Sequence, residues 1–268
     1  MIPNILSIAG SDPSGGAGIK ADIKTISANG GFAMAVITAL TAQNTQGVAA
    51  VQMVKPGFVV QQIAALRADI RIDAVKIGML GTAMMVGTVF EALAGLDVPI
   101  VLDPVMVAKS GDRLLQAEAV AALRDALPKA TVITPNLPEA ADLLGLPEAA
   151  SLPQMEAQAL ALLSLGPRAV LLKGGHLSGG DCADLLVTAH GLAWLPGTRH
   201  ATHKTHGTGC TLSSALATFL GHGLPLTKAA LAAKGYVARA IATADALTVG
   251  KGHGPTHHFH AFFTGPPP

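Results

Sequence analysis

The feature that most narrows the fold is an alternation of two kinds of segment. Aliphatic runs at residues 5–8, 33–40, 74–77, 100–102, 132–134 and 169–172 are mostly continuous rather than alternating with polar residues. That pattern suits strands covered on both faces. Between them lie Ala/Leu-rich stretches of helical period at 19–29, 56–69, 82–93, 118–127 and 152–165. Pro56 fits a first helical turn, and Gly95 and Gly166 stand where a helix would stop. Two more helices, 208–220 and 226–244, close the order. This β-α-β-α series predicts an α/β fold, a mainly parallel sheet with helices on both sides. No linker or internal repeat divides the chain, so 1–268 reads as one domain with 265–268 a frayed tail.

Composition excludes several classes. Half of the 268 residues are hydrophobic and 13% are charged, which rules out extended disorder. Lys and Arg number 18 against 17 Asp and Glu, so no basic face for nucleic acid or a membrane surface is expected. Aromatics at 3% argue against a base-stacking platform. The longest apolar stretch, 32–42, holds Thr38 and Thr41 and is about half the length of a spanning helix. Residues 1–9 lack the pattern of a signal peptide, and two cysteines, Cys182 and Cys210, make no disulfide framework. The expectation is a cytoplasmic protein.

In open parallel sheets ligands bind outside the carboxyl ends of the strands. Glycine and polar residues gather there: Gly10 to Gly18, Gln43-Asn44, Gly78-Met79, Asp103-Pro104, Pro135-Asn136 and Lys173-Gly174-Gly175. A small-molecule site is the reading. The first glycine segment is no Walker loop, because the chain contains no Gly-x4-Gly-Lys-Ser/Thr. Its Gly16-Ala17-Gly18 partly matches a dinucleotide fingerprint, but the second strand ends in Thr38-Ala39-Leu40 with no acid to hold a ribose. What remains is a loop whose backbone amides and Asp12 meet a small polar substrate, or a long turn.

The later segment His206-Gly207-Thr208-Gly209-Cys210-Thr211 runs straight into a helix. Glycines there let free N–H groups converge on one point, and the helix dipole adds positive charge. Such a cradle stabilises an anion that forms during reaction, a phosphoryl group in transfer for instance. A tight loop with a helix cap is the plainer alternative. At this helix start the Cys210 thiol is expected to have a lowered pKa.

Four motifs in order, residues 8–18, Thr134-Pro135-Asn136 with Glu139, Lys173-Gly174-Gly175-His176 and residues 206–211, resemble the ribokinase superfamily. More narrowly they resemble the bacterial hydroxymethylpyrimidine/phosphomethylpyrimidine kinases of thiamine biosynthesis, as does the closing segment from Gly250 to His260. The resemblance spans residues 5–260. It implies a three-layer α/β/α domain, usually a homodimer, that phosphorylates 4-amino-5-hydroxymethyl-2-methylpyrimidine and then its monophosphate with ATP and Mg²⁺.

Roles follow from the same resemblance. Gln43, the backbone near Gly10 and Ala17, Asp12, and the apolar walls Met79 and Val105 would line the aminopyrimidine pocket. Lys173, Asn136, Thr208 and Lys234 would meet the nucleotide, and Asp103 and Glu139 would serve Mg²⁺. Gly207, Gly209, Cys210 and Lys173 would carry the transfer. Asn136 and Glu139 also have the spacing of a capping box. Ribokinase has Asp where this chain has Cys210, so a base role for the thiol is open, and the amides are expected to contribute more. Residues 105–113, with Lys109, Ser110, Gly111 and Asp112, read as a flap that excludes water. His253 and His257 are separated by Gly254-Pro255, which prevents a shared helix face and favours a structural role over a metal site. A pyridoxal kinase of the same superfamily and a non-catalytic vitamin-binding relative are the alternatives.

Overall fold

The expected strands join in one sheet in the computed structural model, which describes residues 1–106, 118–177 and 182–263. Six strands run parallel: β1 (Asn4–Ser11), β2 (Phe32–Asn44), β4 (Ala74–Ile77), β5 (Ile100–Leu102), β6 (Val132–Ile133) and β7 (Ala169–Leu172). Three pair antiparallel at the edges: β3 (Gly47–Met53), β8 (Asp184–Thr188) and β9 (Gly191–Leu195). The spatial order is β3-β2-β1-β4-β5-β6-β7-β8-β9, so the chain reverses direction across the sheet between β1 and β4.

Successive strand side chains point to opposite faces, and the apolar residues divide accordingly. Leu6, Ile8, Val75, Ile77, Leu102, Ile133, Val170 and Leu172 enter one layer. There they meet α2 (Pro56–Asp69), α3 (Ala83–Ala92), α4 (Ala119–Ala126), α5 (Leu137–Leu144) and α6 (Leu152–Ser164). Ile5, Ala74, Val101, Val132, Ala169 and Leu171 enter the other, against α1 (Gly18–Ala28), α7 (Thr208–Gly221) and α8 (Leu226–Ala242). Three layers result. Among the described residues no helix is long and apolar enough to cross a membrane.

Most expected boundaries hold within two residues; the differences have physical causes. β2 runs four residues past the expected end, so Gln43 and Asn44 lie in a strand rather than a loop, opposite Val48 and Gly47. Its extension is a solvent-facing ribbon with β3, without the buried run by which strands were recognised. β8 and β9 were also not anticipated. They form a hairpin that turns at Gly191, whose φ of 139° suits glycine. The expected frayed tail at 265–268 and most of the expected flap, Lys109, Ser110, Gly111 and Asp112 included, lie outside the described residues.

One buried charge stands in the middle of this frame. Lys76 of β4 is fully buried, with Nζ 2.9 and 3.0 Å from the two carboxylate oxygens of Asp22 on α1. Asp22 also accepts from the hydroxyls of Ser7 on β1 and Ser214 on α7, each at 2.7 Å. Burial pulls the Lys76 pKa down, but Asp22 together with Cys210 and Asp103 outweighs it, and the ammonium is held above its ordinary value. Lys76→Met would leave Asp22 buried without its counter-charge. A loss of ~3–5 kcal/mol is expected, to be read from urea unfolding; an unchanged midpoint would contradict it.

Candidate active site

The carboxyl ends of the parallel strands bring the chemistry-bearing residues to one edge, in two groups. At the β1/β2/β4 ends, the first glycine segment turns back on β1. A Cβ on Gly18 would lie 2.2 Å from the Gly10 carbonyl, and one on Gly10 would lie 3.0 Å from the Met79 sulfur. Met79 is buried here, its carbonyl accepting from the Thr38 hydroxyl at 2.7 Å. The Thr41 hydroxyl lies 3.1 Å from the Ser11 carbonyl and 3.0 Å from Oε1 of Gln43, tying the Gln43 amide to the end of β1.

At the β5/β6/β7 ends, Lys173 sits between two acids. Its Nζ is 3.1 Å from Asp103 Oδ1 and 3.7 Å from Glu139 Oε2. Asp103 also accepts from the hydroxyls of Thr134 at 3.1 Å and Ser213 at 3.3 Å. The capping box forms: Asn136 Oδ1 accepts from the Glu139 amide and Glu139 Oε2 from the Asn136 amide, both at 2.8 Å. Burial pulls the Lys173 pKa down, but Asp103 and Glu139 outweigh it and keep the ammonium protonated. Burial pushes the Glu139 carboxyl up to about 7, and the Asp103 charge adds to the rise.

The N-terminus of α7 lies between the two groups. Its cap, Gly207, is left-handed (φ 77°), and a Cβ there would lie 1.8 Å from the Gly16 carbonyl. A Cβ on Gly209 would lie 3.3 Å from Lys173 Nζ and 3.5 Å from Asp103 Oδ2. The N–H groups of Gly207, Gly209 and Cys210 have no acceptor in the protein among the described residues. Three free donors and one ammonium thus stand together, an arrangement suited to an anion.

Several expected site residues are occupied otherwise. Asp12 accepts from the Ser14 amide and hydroxyl (both 2.8 Å), the Ala17 amide (3.0 Å) and His206 Nε2 (2.8 Å). Its carboxylate therefore organises the loop, and the Ala17 amide is engaged by it. Thr208 turns both donors back onto the Thr205 carbonyl, the hydroxyl at 2.7 Å and the amide at 3.3 Å. Lys234 pairs with Asp184 at 2.7 Å and also bonds the Cys182 carbonyl, while Asp184 accepts from the Gly174 amide at 3.0 Å. Lys234 thus braces the Lys173-Gly174-Gly175 turn from behind. Val105 is half-buried just past β5, its amide donating to the Asp103 carbonyl at 2.8 Å.

The Cys210 thiol departs most from expectation. Although it keeps a partly exposed surface, burial pushes its pKa up to about 11, with the charges of Asp22 and Asp103 adding to the rise. Lys76 and the Gly18 amide pull the other way and lose. Desolvation beside two carboxylates thus gives the opposite of the lowered pKa expected at a helix start.

Sequence reading missed Lys76, Asp22 and His206 as organisers of the site. The first two are buried polar residues inside otherwise apolar or amphipathic segments, a detectable signal. His206 stands in the motif at 206–211, but nothing local marks its partner, which lies 194 residues away.

Asp103 and Glu139 offer hard oxygens, and burial, with the Asp103 charge adding to it, holds Glu139 toward neutrality, so a divalent cation would favour its ionised form. Among the described residues no group of three or more His, Cys, Asp or Glu could hold an ion alone. The fit is to Mg²⁺ arriving with phosphate and water.

The Cys210 environment predicts slow alkylation. Iodoacetamide modification followed by peptide mass at pH 8 should be about 100-fold slower than for a thiol of ordinary pKa 9.0, and should rise steeply towards pH 11. Rapid labelling at pH 7 would contradict this.

The comparisons agree with one another. The family model for phosphomethylpyrimidine kinase matches residues 12–257. The chain is 50% identical over 262 residues to the hydroxymethylpyrimidine/phosphomethylpyrimidine kinase of Salmonella typhimurium, covering 97% of this chain and 98% of that protein. A Bacillus subtilis pyridoxal kinase in an ADP complex superposes with a TM-score of 0.90 at 33% identity, covering 98% of this chain and all of the other. The Clostridium difficile phosphomethylpyrimidine kinase has a TM-score of 0.79 at 41% identity, over 89% and 99% of the two chains. A ribokinase-like sheet, an α7 start with open amides beside a protonated lysine, and these likenesses have one common reading: the chain belongs to the phosphomethylpyrimidine kinase family.

Proposed function

We propose that this kinase transfers the γ-phosphoryl group of ATP to the hydroxymethyl oxygen of 4-amino-5-hydroxymethyl-2-methylpyrimidine, and then phosphorylates the monophosphate to the diphosphate, as a step of thiamine biosynthesis. The observation that carries the reading is the position of the open Gly207, Gly209 and Cys210 amides beside Lys173, between the two groups of residues. Nucleotide binds over the β5/β6/β7 ends, near Lys173 and Asn136. The aminopyrimidine binds over the β1/β2/β4 ends, where Gln43 meets the ring nitrogen and amino group, and Gly10, Met79 and Val105 form the walls. The migrating group then passes over the start of α7.

In the transfer a bond forms from the hydroxymethyl oxygen to γ-phosphorus, the bond from γ-phosphorus to the β,γ-bridging oxygen breaks, ADP leaves, and the hydroxyl proton passes late to a phosphoryl oxygen and then to solvent. Asp103 and Glu139 would hold Mg²⁺ through water, and the ion would supply charge neutralisation of the triphosphate. The amides and Lys173 Nζ stabilise the charge spread over the equatorial oxygens. Phosphoryl transfer needs little early deprotonation of the alcohol, and a thiol near 11 is a poor acceptor at neutral pH. The Cys210 side chain is therefore assigned no base role. We further read the protein as a cytoplasmic homodimer, on the family resemblance.

The direct test measures ATP consumption with the aminopyrimidine, its monophosphate and pyridoxine side by side. Turnover of both pyrimidines is expected; preference for pyridoxine would move the assignment to a pyridoxal kinase. In the same assay Cys210→Ala should keep kcat within ~10-fold, well short of the 10²-fold or greater loss typical of a removed oxyanion donor. A larger loss would restore the thiol to the chemistry.

A further inference from the structure

His206 and Asp12 meet across 194 residues, Nε2 to Oδ2 at 2.8 Å, with side chains 9% and 3% exposed. Hydrogen bonds from His206 and Ser14 outweigh the upward push of burial on Asp12, so it stays ionised. An ionised carboxylate only accepts, so Nε2 carries the proton. Among the described residues, the Asp12 carboxylate accepts two bonds from Ser14, one from the Ala17 amide and one from the imidazole. The loop at 12–17 is thus wound around one carboxylate, and His206 is its link to the α7 start.

The two loops are in backbone contact at this link. A Cβ on Gly16 would lie 2.4 Å from His206 Cδ2, and one on Gly207 would lie 1.8 Å from the Gly16 carbonyl. Behind them, the closing segment of the chain grips the same residue. The His206 amide donates to the Gly254 carbonyl at 3.0 Å, and its carbonyl accepts from the Thr256 amide at 3.4 Å. Thr211 holds the next peptide, its amide and hydroxyl both donating to the Gly207 carbonyl at 2.8 Å. His258 Nε2 lies 3.2 Å from that hydroxyl. Every contact converges on the peptide that sets the left-handed turn at Gly207, and therefore on the direction of the free amides that follow.

We propose that the His206–Asp12 couple is a positioning device for the transfer: it locks the substrate-side glycine loop to the amide cradle and aims the cradle's N–H groups. This rests on the reading of the α7 start as the place of phosphoryl transfer. Neither residue touches the reacting atoms. Asp12, expected from the resemblance to border the substrate, acts through His206 and the loop.

The test compares His206→Gln with His206→Asn by steady-state kinetics on the aminopyrimidine and ATP. Both are polar, but only the longer Gln side chain carries an N–H to the place of Nε2. Expected is a fall in kcat of ~100-fold for the Asn variant, of the order seen when an oxyanion donor is lost, with each KM within ~3-fold. The Gln variant should return to within ~10-fold of wild type. Asp12→Asn, which puts an amide among the loop's donors, should fall with His206→Asn and give no further loss when combined with it. Equal rates for Gln and Asn, or a rise confined to the aminopyrimidine KM, would overturn the couple. Absence of wild-type turnover with both pyrimidines would overturn the functional reading on which it stands.

Discussion

A single buried ion pair holds the parts of this molecule in the relation that its chemistry needs. Lys76 lies mid-strand in β4, on the sheet face that otherwise receives alanine and aliphatic residues from β5, β6 and β7. An unpaired ammonium could not remain there, because desolvation would drive off its proton. Asp22 supplies the counter-charge, and the hydroxyls of Ser7 and Ser214 occupy the lone pairs left over. One carboxylate therefore joins β1, β4, α1 and α7. Apolar packing alone would let α7 slide along a face of mostly small side chains; a directional polar bond resists that.

The position of α7 matters because the donors we propose for the transfer are backbone groups. An amide cannot rotate onto its target as a side chain does, so its aim is that of the helix and of the turn that starts it. The buried pair fixes the body of α7 from below. The glycines fix the entry: Gly207 occupies a left-handed turn against Gly16, and Gly209 leaves its side open to Lys173 and Asp103. Any Cβ at either position would fill the space in which the two loops or the ammonium approach. The C-terminal segment then closes the arrangement from outside, and it ties to the β2–β3 hairpin as well, where the His253 amide donates to the Thr45 carbonyl at 2.9 Å.

How far this was legible beforehand follows from which interactions are local. The sheet's interior could be read because a strand covered on both faces needs an unbroken apolar run, as in Ala169–Leu172. The N-cap of α5 could be read because Asn136 and Glu139 satisfy each other three residues apart. The edge strand β3 has no such buried run, because it is bound mostly through backbone pairing on a wet surface, which asks little of its side chains. At the site, motif spacing located the glycines and Lys173, but not the roles of Asp12, Thr208 or Lys234. Those depend on which donor or acceptor of a side chain is already taken, a property of the folded network.

Cys210 shows the same logic at one atom. Position in a helix argues for an acidic thiol, and the neighbours reverse the result: the carboxylates of Asp22 and Asp103 and the loss of water raise it. In a site that receives a triphosphate, as we propose, this reversal is useful. A third negative group beside Asp103 would repel the incoming anion, whereas a neutral thiol adds bulk and polarisability without charge. Because the transition state is loose and asks little of a base, a poor proton acceptor costs the reaction little. What it cannot lose is the alignment of donors that meet the spread charge, and that alignment is what the buried pair, the left-handed glycine and the closing segment together maintain.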